Sequence, residues 1–155
     1  MTGNEIIAIC DGEMIIRPYE GVGPVSFGMT REQVREALAS PVNPFYRTPD
    51  SRLPTDAFDD LGLQVEYRAP DICQFVSIGH PPAIPIFQGE LLLYRPFAQI
   101  RDYFLAIDPE SELDRSGLTS FKFGITFYAP FWDDAPEEPA QTVAAFERGY
   151  YDRED

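Results

Sequence analysis

Two segments of the chain show a strict alternation of apolar and polar residues. In Leu63–Arg68 the apolar Leu63, Val65 and Tyr67 alternate with polar neighbours, and in 121–127 phenylalanine and isoleucine alternate with lysine, glycine and threonine. Successive side chains of a strand point to opposite faces, so this alternation is typical of a half-buried antiparallel strand. Both segments are therefore predicted to be strands of a sheet that has one covered face.

A helix is predicted over 31–39. Val34 and Leu38 are apolar residues at helical spacing. Thr30 can accept a hydrogen bond as the N-cap, and Gln33 stands three residues later, where it completes a capping box. The start of this helix is thus specified by residues that are close together in the sequence.

A second amphipathic helix is predicted over 94–107. Pro96 is suited to its first turn, because proline has no backbone N–H to leave unpaired there. The apolar residues at helical spacing form the predicted buried stripe, which consists of Phe97, Ile100, Phe104 and Ile107.

The remaining segments add strands and one long connection. Asp11-Gly12 is a dipeptide that suits a two-residue hairpin turn, so 5–17 is predicted to form an N-terminal hairpin. Further strands are predicted at 73–78 and 142–151, although the run Ala-Ala-Phe-Glu in the second segment is also compatible with a helix. The segment 40–57 contains four prolines and is predicted to be a surface excursion.

These elements predict a single α+β domain over residues 1–155. After the hairpin, 24–87 and 91–151 each contain a helix followed by strands, and we interpret them as two helix-plus-meander repeats. In this interpretation Leu63–Arg68 and 121–127 are equivalent strands, each beginning a meander after its own helix. The expected architecture is one antiparallel sheet with two helices packed on one face.

The segment 25–41 reads V-S-F-G-M-T-x-x-Q-V-x-x-A-L-x-x-P, where x marks any residue. It resembles the helix signature of the SmpA/BamE family of small outer-membrane-assembly lipoproteins. The doubled unit is similar to the β-lactamase-inhibitory-protein fold, which carries two helix-and-sheet repeats on one sheet. The ending Tyr150-Tyr151-Asp152 and the overall layout resemble small acidic bacterial immunity partners of secreted toxins. These resemblances imply an α+β binding scaffold.

The charge of the chain narrows the class of partner. Its 155 residues include 12 Lys and Arg against 26 Asp and Glu, which gives a net charge of −14. Binding to phosphate groups needs clustered Lys and Arg, so neither a nucleic acid nor an anionic membrane surface is expected as partner. A basic protein partner is compatible with this charge, and so is an acidic surface that serves only solubility.

Cysteine usage and hydropathy indicate the compartment. Cys10 and Cys73 are too few for a disulfide framework, and both lie in apolar runs where buried free thiols are usual. A single bridge between them stays open. The N-terminal apolar run is too short for a signal peptide, and no run reaches transmembrane length. The expected location is therefore the cytoplasm.

The sequence carries no catalytic, cofactor or metal motif. His80 is the only histidine, and no nucleophile signature accompanies it, so we interpret it as a loop histidine with a structural hydrogen bond. The acidic run 108–114 is similar to a calcium loop, but Leu113 stands where that loop requires glycine and Thr119 where it requires glutamate. No catalytic residue, cofactor or metal ligand is expected.

The segment 131–138, here called the acidic loop, combines the only tryptophan with four carboxylates. An aromatic anchor flanked by acids suits a hot spot against a basic protein. The predicted partner-binding residues are Phe131, Trp132, Asp133, Asp134, Glu137 and Glu138, with Asp59, Asp60 and also Asp56 extending the acidic surface. The alternative is that Phe131 and Trp132 fold back onto the sheet edge while the acids face water.

The sequence therefore favours a non-enzymatic protein-binding module, an immunity or inhibitor protein that occludes a basic protein target. The alternative is a small-ligand-binding protein or an enzyme with a pocket between the sheet and the helices. Such a pocket would use some of Tyr46, Glu66, Tyr67, His80 and Tyr94. A role as an assembly scaffold rests on the lipoprotein resemblance alone.

Overall fold

The structure, a computed structural model, describes residues 12–152. Within that range the chain forms thirteen β-strands, two α-helices and one 3-10 helix. In chain order the elements are β1 (Glu13–Arg17), β2 (Gly21–Val22), β3 (Val25–Ser26), α1 (Arg31–Leu38), β4 (Asn43–Phe45), β5 (Thr55–Phe58), β6 (Leu63–Arg68), β7 (Ile72–Ile78), β8 (Ile84–Phe87), β9 (Glu90–Leu91), α2 (Phe97–Ile107), β10 (Glu112–Asp114), β11 (Gly117–Ser120), β12 (Ile125–Tyr128), β13 (Thr142–Phe146) and the 3-10 helix Tyr150–Asp152. The α+β class predicted from the sequence is confirmed.

Eight strands form an antiparallel sheet in the order β10-β11-β12-β13-β7-β6-β5-β4. Strands β4 to β7 follow α1, and each pairs with the next strand along the chain; strands β10 to β13 follow α2 in the same way. The last strands of the two groups meet, with Val143 opposite Ile78 and Phe146 opposite Phe75. The middle of this sheet therefore joins segments that are distant in sequence.

The predicted strand Leu63–Arg68 is confirmed as β6. Leu63, Val65 and Tyr67 are buried, and the polar residues between them are half-buried. This burial pattern follows the sequence alternation, because period-two alternation places every second side chain on the same face.

A second sheet has the strand order β9-β8-β1-β2-β3. Strand β1 pairs antiparallel with β2 and parallel with β8, where Met14 lies opposite Pro85. The eight-stranded sheet is antiparallel as predicted, but the prediction of a single sheet is wrong. The second sheet contains a parallel pair, which joins segments far apart along the chain and leaves no local signal. The first strand of the predicted hairpin 5–17 and Asp11 of its turn lie outside the described residues, and its second strand is β1.

The capping box predicted for α1 is confirmed. The backbone N–H of Gln33 donates to Thr30 Oγ1 at 3.2 Å, and the backbone N–H of Thr30 donates to Gln33 Oε1 at 3.0 Å. Val34 and Leu38 are the buried residues of the helix. Ala39 follows in the left-handed conformation, at φ 47°, which ends the helix one residue before the predicted end.

Helix α2 contributes aromatic side chains to the core. It begins after Pro96, and Phe97, Ile100 and Phe104 are buried, whereas Ile107 is only half-buried. The ring of Phe104 lies 5.2 Å from that of Phe127 in the large sheet and 5.8 Å from that of Phe87 in the small sheet, measured between ring centres. The helix thus connects the two sheets through aromatic contacts.

The strand predicted over 121–127 forms only in its second half. Residues 121–124 make a turn, and β12 begins at Ile125. Gly124 has φ +68°, a left-handed conformation that is incompatible with a strand, and a ring carbon of Tyr19 lies 2.9 Å from where its Cβ would stand. The strand predicted over 142–151 likewise ends at Phe146, before the 3-10 helix.

Candidate functional site

The alternation of side chains gives the eight-stranded sheet two different faces. The inner face carries apolar residues such as Val65, Ile78, Val143 and Phe127, all buried in the core. Polar and small side chains lie opposite one another on the other face, across β6, β7, β13 and β12. This outer face is defined by Gln64, Glu66, Phe75, Ser77, Ala144 and Thr126.

The acidic loop, 131–138, lies between β12 and β13 and contacts the start of α2. The backbone N–H of Phe97 donates to the carbonyl of Glu138, and that of Ala98 to the carbonyl of Pro136, both at 3.0 Å. The first N–H groups of a helix have no partner within the helix, so the loop supplies acceptors that α2 needs. Loop and helix therefore fix each other in place.

The two aromatic residues of the acidic loop lie in different environments. Trp132 is half-buried, packs against the core, and donates from Nε1 to the carbonyl oxygen of Asp114 at 2.7 Å. Phe131 is 59% exposed. Trp132 thus holds the loop against the end of β10, and Phe131 is the aromatic side chain that a partner can reach.

The four carboxylates of the acidic loop, Asp133, Asp134, Glu137 and Glu138, are exposed. None of them takes part in an ion pair with another residue of the described range. Their negative charge is therefore directed at solvent around Phe131.

The aspartates near the end of the proline-rich segment differ in exposure. Asp59 and Asp60 are exposed in the turn between β5 and β6. Asp56 is 0% exposed. The prediction that Asp56 extends an acidic surface is therefore wrong, because the side chain points to the inner face of the sheet.

Asp56 is the centre of a buried ion cluster that the sequence did not reveal. It accepts hydrogen bonds from Arg31 at 2.8 Å, from Arg35 at 2.8 and 2.9 Å, and from the hydroxyl of Tyr67 at 3.0 Å. Arg31 also donates twice to Asp71, at 2.9 Å, and its guanidinium lies 4.0 Å from the centre of the Tyr67 ring. The cluster ties α1 to β5 and β6.

These contacts fix the protonation states of the cluster. Burial favours the neutral form of Asp56, but hydrogen bonds from Arg35 and Tyr67 and the charge of Arg31 outweigh it, so the pKa of Asp56 lies below its ordinary value. Burial and the neighbouring carboxylate raise the pKa of Tyr67. The carboxylate is therefore ionised and the phenol protonated at neutral pH, as expected of a structural ion cluster.

A cavity of about 370 Å³ lies on the outer face of the eight-stranded sheet. Its lining combines apolar side chains with polar ones, among them Glu66, Ser77, His80 and Thr126. Nδ1 of His80 lies 2.8 Å from the carbonyl oxygen of Pro81, and the side chain is exposed, which agrees with its interpretation as a loop histidine.

The residues considered for a ligand pocket are not brought together. Glu66 and His80 line the outer-face cavity, but Tyr67 is bonded to Asp56 on the inner face. The hydroxyl of Tyr94 donates to the carbonyl of Ala83 at 2.7 Å, and Tyr46 is exposed. This cavity is therefore not the pocket between sheet and helices that the sequence suggested.

The chain's last described residues pack onto the outer face. The Tyr150 ring stacks on that of Phe75 at 4.8 Å between ring centres, and its hydroxyl donates to Glu66 at 3.1 Å. Tyr151 meets the edge of Phe146 at 5.0 Å. The sequence predicts a strand through Tyr151, whereas Tyr150–Asp152 form a 3-10 helix. The aromatic doublet after Gly149 was the only local signal of a separate element.

Residues 12–152 contain no cluster of metal-ligating side chains, and none of their helices has the length and apolar character needed to cross a bilayer. The pKa of the buried Cys73 thiol is raised to about 12 by desolvation, so this thiol is unreactive at neutral pH. Its pairing with Cys10 lies outside the described residues. Comparison with protein-family models, curated proteins and solved structures finds no match to the chain.

Proposed function

We propose that this protein is a non-enzymatic protein-binding module, an immunity or inhibitor protein that covers a functional surface of a basic protein partner. The proposal rests on the exposure of Phe131 in the acidic loop, which is anchored to the fold and carries four exposed carboxylates. An exposed aromatic residue in the same loop as several charges of one sign has the composition of an interface hot spot with a steering rim.

The way the acidic loop is held supports binding without a large ordering cost. Trp132 is bonded to β10, and the loop carbonyls of Pro136 and Glu138 are bonded to α2. A partner that contacts Phe131 therefore meets a segment already fixed in one conformation. Less conformational entropy is lost on association with a preordered segment, which favours tighter binding.

We further infer that the chain contains two copies of one unit, each made of a helix and the four strands after it, with both helices covering the inner face. Support comes from the strand order of the large sheet and from two contacts with inner-face residues. Arg31 of α1 lies over Tyr67, and Phe104 of α2 packs on Phe127. This arrangement is what the resemblance to the β-lactamase-inhibitory-protein fold implies, and it suits a rigid scaffold.

The proposal is tested with the purified product of the adjacent reading frame as the partner. Phe131→Ala is expected to weaken binding by about 2 kcal/mol or more, roughly 30-fold, with thermal stability close to that of the parent protein. Tyr46→Ala is the matched control, because Tyr46 is 61% exposed and lies outside the loop. Equal affinities of the two variants would place the interface elsewhere.

Two further variants separate the roles of the loop residues. Asp133→Asn combined with Asp134→Asn should mainly slow association and reduce its dependence on salt, because charges at the rim act through steering. Trp132→Ala should lower the unfolding temperature as well as the affinity, because it removes the bond to Asp114 and a packed ring. Unchanged stability of Trp132→Ala would contradict the structural role given to this side chain.

The second candidate function is binding of a small ligand. The outer-face cavity supports it, since its volume of about 370 Å³ falls within the range of small-molecule sites and Glu66 and His80 both line it. Glu66→Gln with His80→Gln would abolish such binding and leave partner binding through the acidic loop unchanged. The two functions are thereby distinguishable in one protein.

A further inference from the structure

A second cavity occupies a corner of the outer face, beside the segment that leads into β5. Its volume is about 590 Å³, and Arg47, Arg52 and Arg68 line it together with a single carboxylate, that of Glu66. The chain as a whole has 12 Lys and Arg against 26 Asp and Glu. This cavity is therefore lined by more positive than negative side chains, although the protein as a whole is strongly acidic.

Two of these arginines are held in place by neighbouring side chains. Arg68 donates from Nε and Nη2 to Glu147 at 2.7 and 3.2 Å. Arg47 lies 3.0 Å from Glu66 and donates from Nη2 to Gln64 at 2.6 Å. A guanidinium has five N–H donors, so these contacts orient both groups and leave further donors for an additional acceptor.

The third arginine has no such restraint. Arg52 is exposed and makes no ion pair or hydrogen bond with any residue of the described range. It projects from the same segment as Leu53, which packs on the core, and Ser51, whose hydroxyl also lines the cavity. A free guanidinium thus stands beside two that are already oriented.

We propose that this cavity binds the oxyanion group of a small organic acid or phosphate ester. The N–H groups of Arg47 and Arg68 provide preoriented hydrogen-bond donors for the anion, and the exposed Arg52 supplies a third guanidinium. Planar guanidinium groups match carboxylate and phosphate oxygens with paired hydrogen bonds, which a lysine cannot reproduce. Leu53, which also lines the cavity, offers apolar contact to the rest of the ligand. This site does not depend on the protein partner proposed above.

Isothermal titration calorimetry tests the site with sodium phosphate and, separately, sodium citrate, at an ionic strength matched with sodium chloride. Saturable binding of phosphate alone identifies a phosphate ester as the ligand class, and binding of citrate alone identifies a carboxylic acid. Binding of both supports a general oxyanion site. Heats that match those of sodium chloride for both probes overturn the proposal.

Variants then locate the binding. Arg52→Gln should lower the affinity for the bound probe by about tenfold or more, which is the scale of a charged hydrogen bond. Arg115→Gln is the matched control, because Arg115 is an exposed arginine between β10 and β11, outside the cavity. Arg52→Lys should restore only part of the affinity. Equal effects of Arg52→Gln and Arg115→Gln would show a nonspecific charge effect and overturn the site.

Discussion

Asp56→Asn keeps the shape of the buried side chain and removes its negative charge. Arg35 then loses both hydrogen bonds to a carboxylate, at 2.8 and 2.9 Å, while Arg31 loses one and keeps two to Asp71. Removing one partner of a buried ion pair costs about 3–5 kcal/mol. The asparagine oxygen can still accept one bond, and the Arg35 side chain is 38% exposed and can be rehydrated. We therefore expect a loss of about 3 kcal/mol, at the lower end of that range.

Urea unfolding at pH 7, followed by circular dichroism and tryptophan fluorescence, measures the loss. For a domain of this length, about 3 kcal/mol also corresponds to a fall of roughly 6–12 °C in the unfolding temperature. Asp59→Asn is the matched control, because Asp59 is exposed three residues later, and its free energy of unfolding should change by less than about 0.5 kcal/mol. A loss below about 1 kcal/mol for Asp56→Asn would refute the role given to the cluster.

The same variant predicts a change in pH dependence. The pKa of Asp56 in the folded protein lies below its unfolded value of about 3.9, so the unfolded chain binds more protons in this range. The contribution of the carboxylate is therefore fully present above the unfolded pKa and is lost as the pH falls through the folded pKa. The stability difference between the parent protein and Asp56→Asn should be constant above about pH 5 and shrink below about pH 4. A difference that grows on acidification would contradict this sign.

Two further substitutions test local structure. Thr30→Ala removes the side-chain half of the capping box and should cost about 1 kcal/mol in urea unfolding, whereas Thr30→Ser should cost a few tenths at most. An equal loss for both would show that the hydroxyl is not the cause. Gly62→Ala places a Cβ 1.9 Å from the carbonyl oxygen of His80 at φ +79° and should cost about 2 kcal/mol or more, measured as a lowered unfolding temperature. Gly89→Ala shares the φ of +79° but has open space around the Cβ, so a loss as large as that of Gly62→Ala would contradict the clash.

The sequence by itself determined the features that depend on neighbouring residues. The start of α1 was predicted because Thr30 and Gln33 bond to each other's backbone within one turn. Strand β6 was predicted because its alternation records which side chains face the core. The segment 121–124 shows the limit of this reasoning. It has the same alternation, yet Gly124 adopts a left-handed turn against Tyr19, which lies about a hundred residues earlier.

The acidic loop was found because its composition is a local property. Its two aromatic residues are adjacent in sequence, and only the tertiary structure distinguishes them. Trp132 is held by a carbonyl of β10, and Phe131 is left exposed. Composition alone therefore indicated an interaction loop without showing which ring a partner meets.

Only the tertiary structure decided the pairing of distant segments. The parallel contact of β1 with β8 and the meeting of β13 with β7 join residues that no local pattern connects. For the same reason Asp56 and Asp59 look alike in the sequence, although one is buried and the other is exposed. Burial of an aspartate is tolerable only where positive groups and hydrogen-bond donors converge on it, and here Arg31, Arg35 and Tyr67 come from α1 and β6, which are separate elements of the fold.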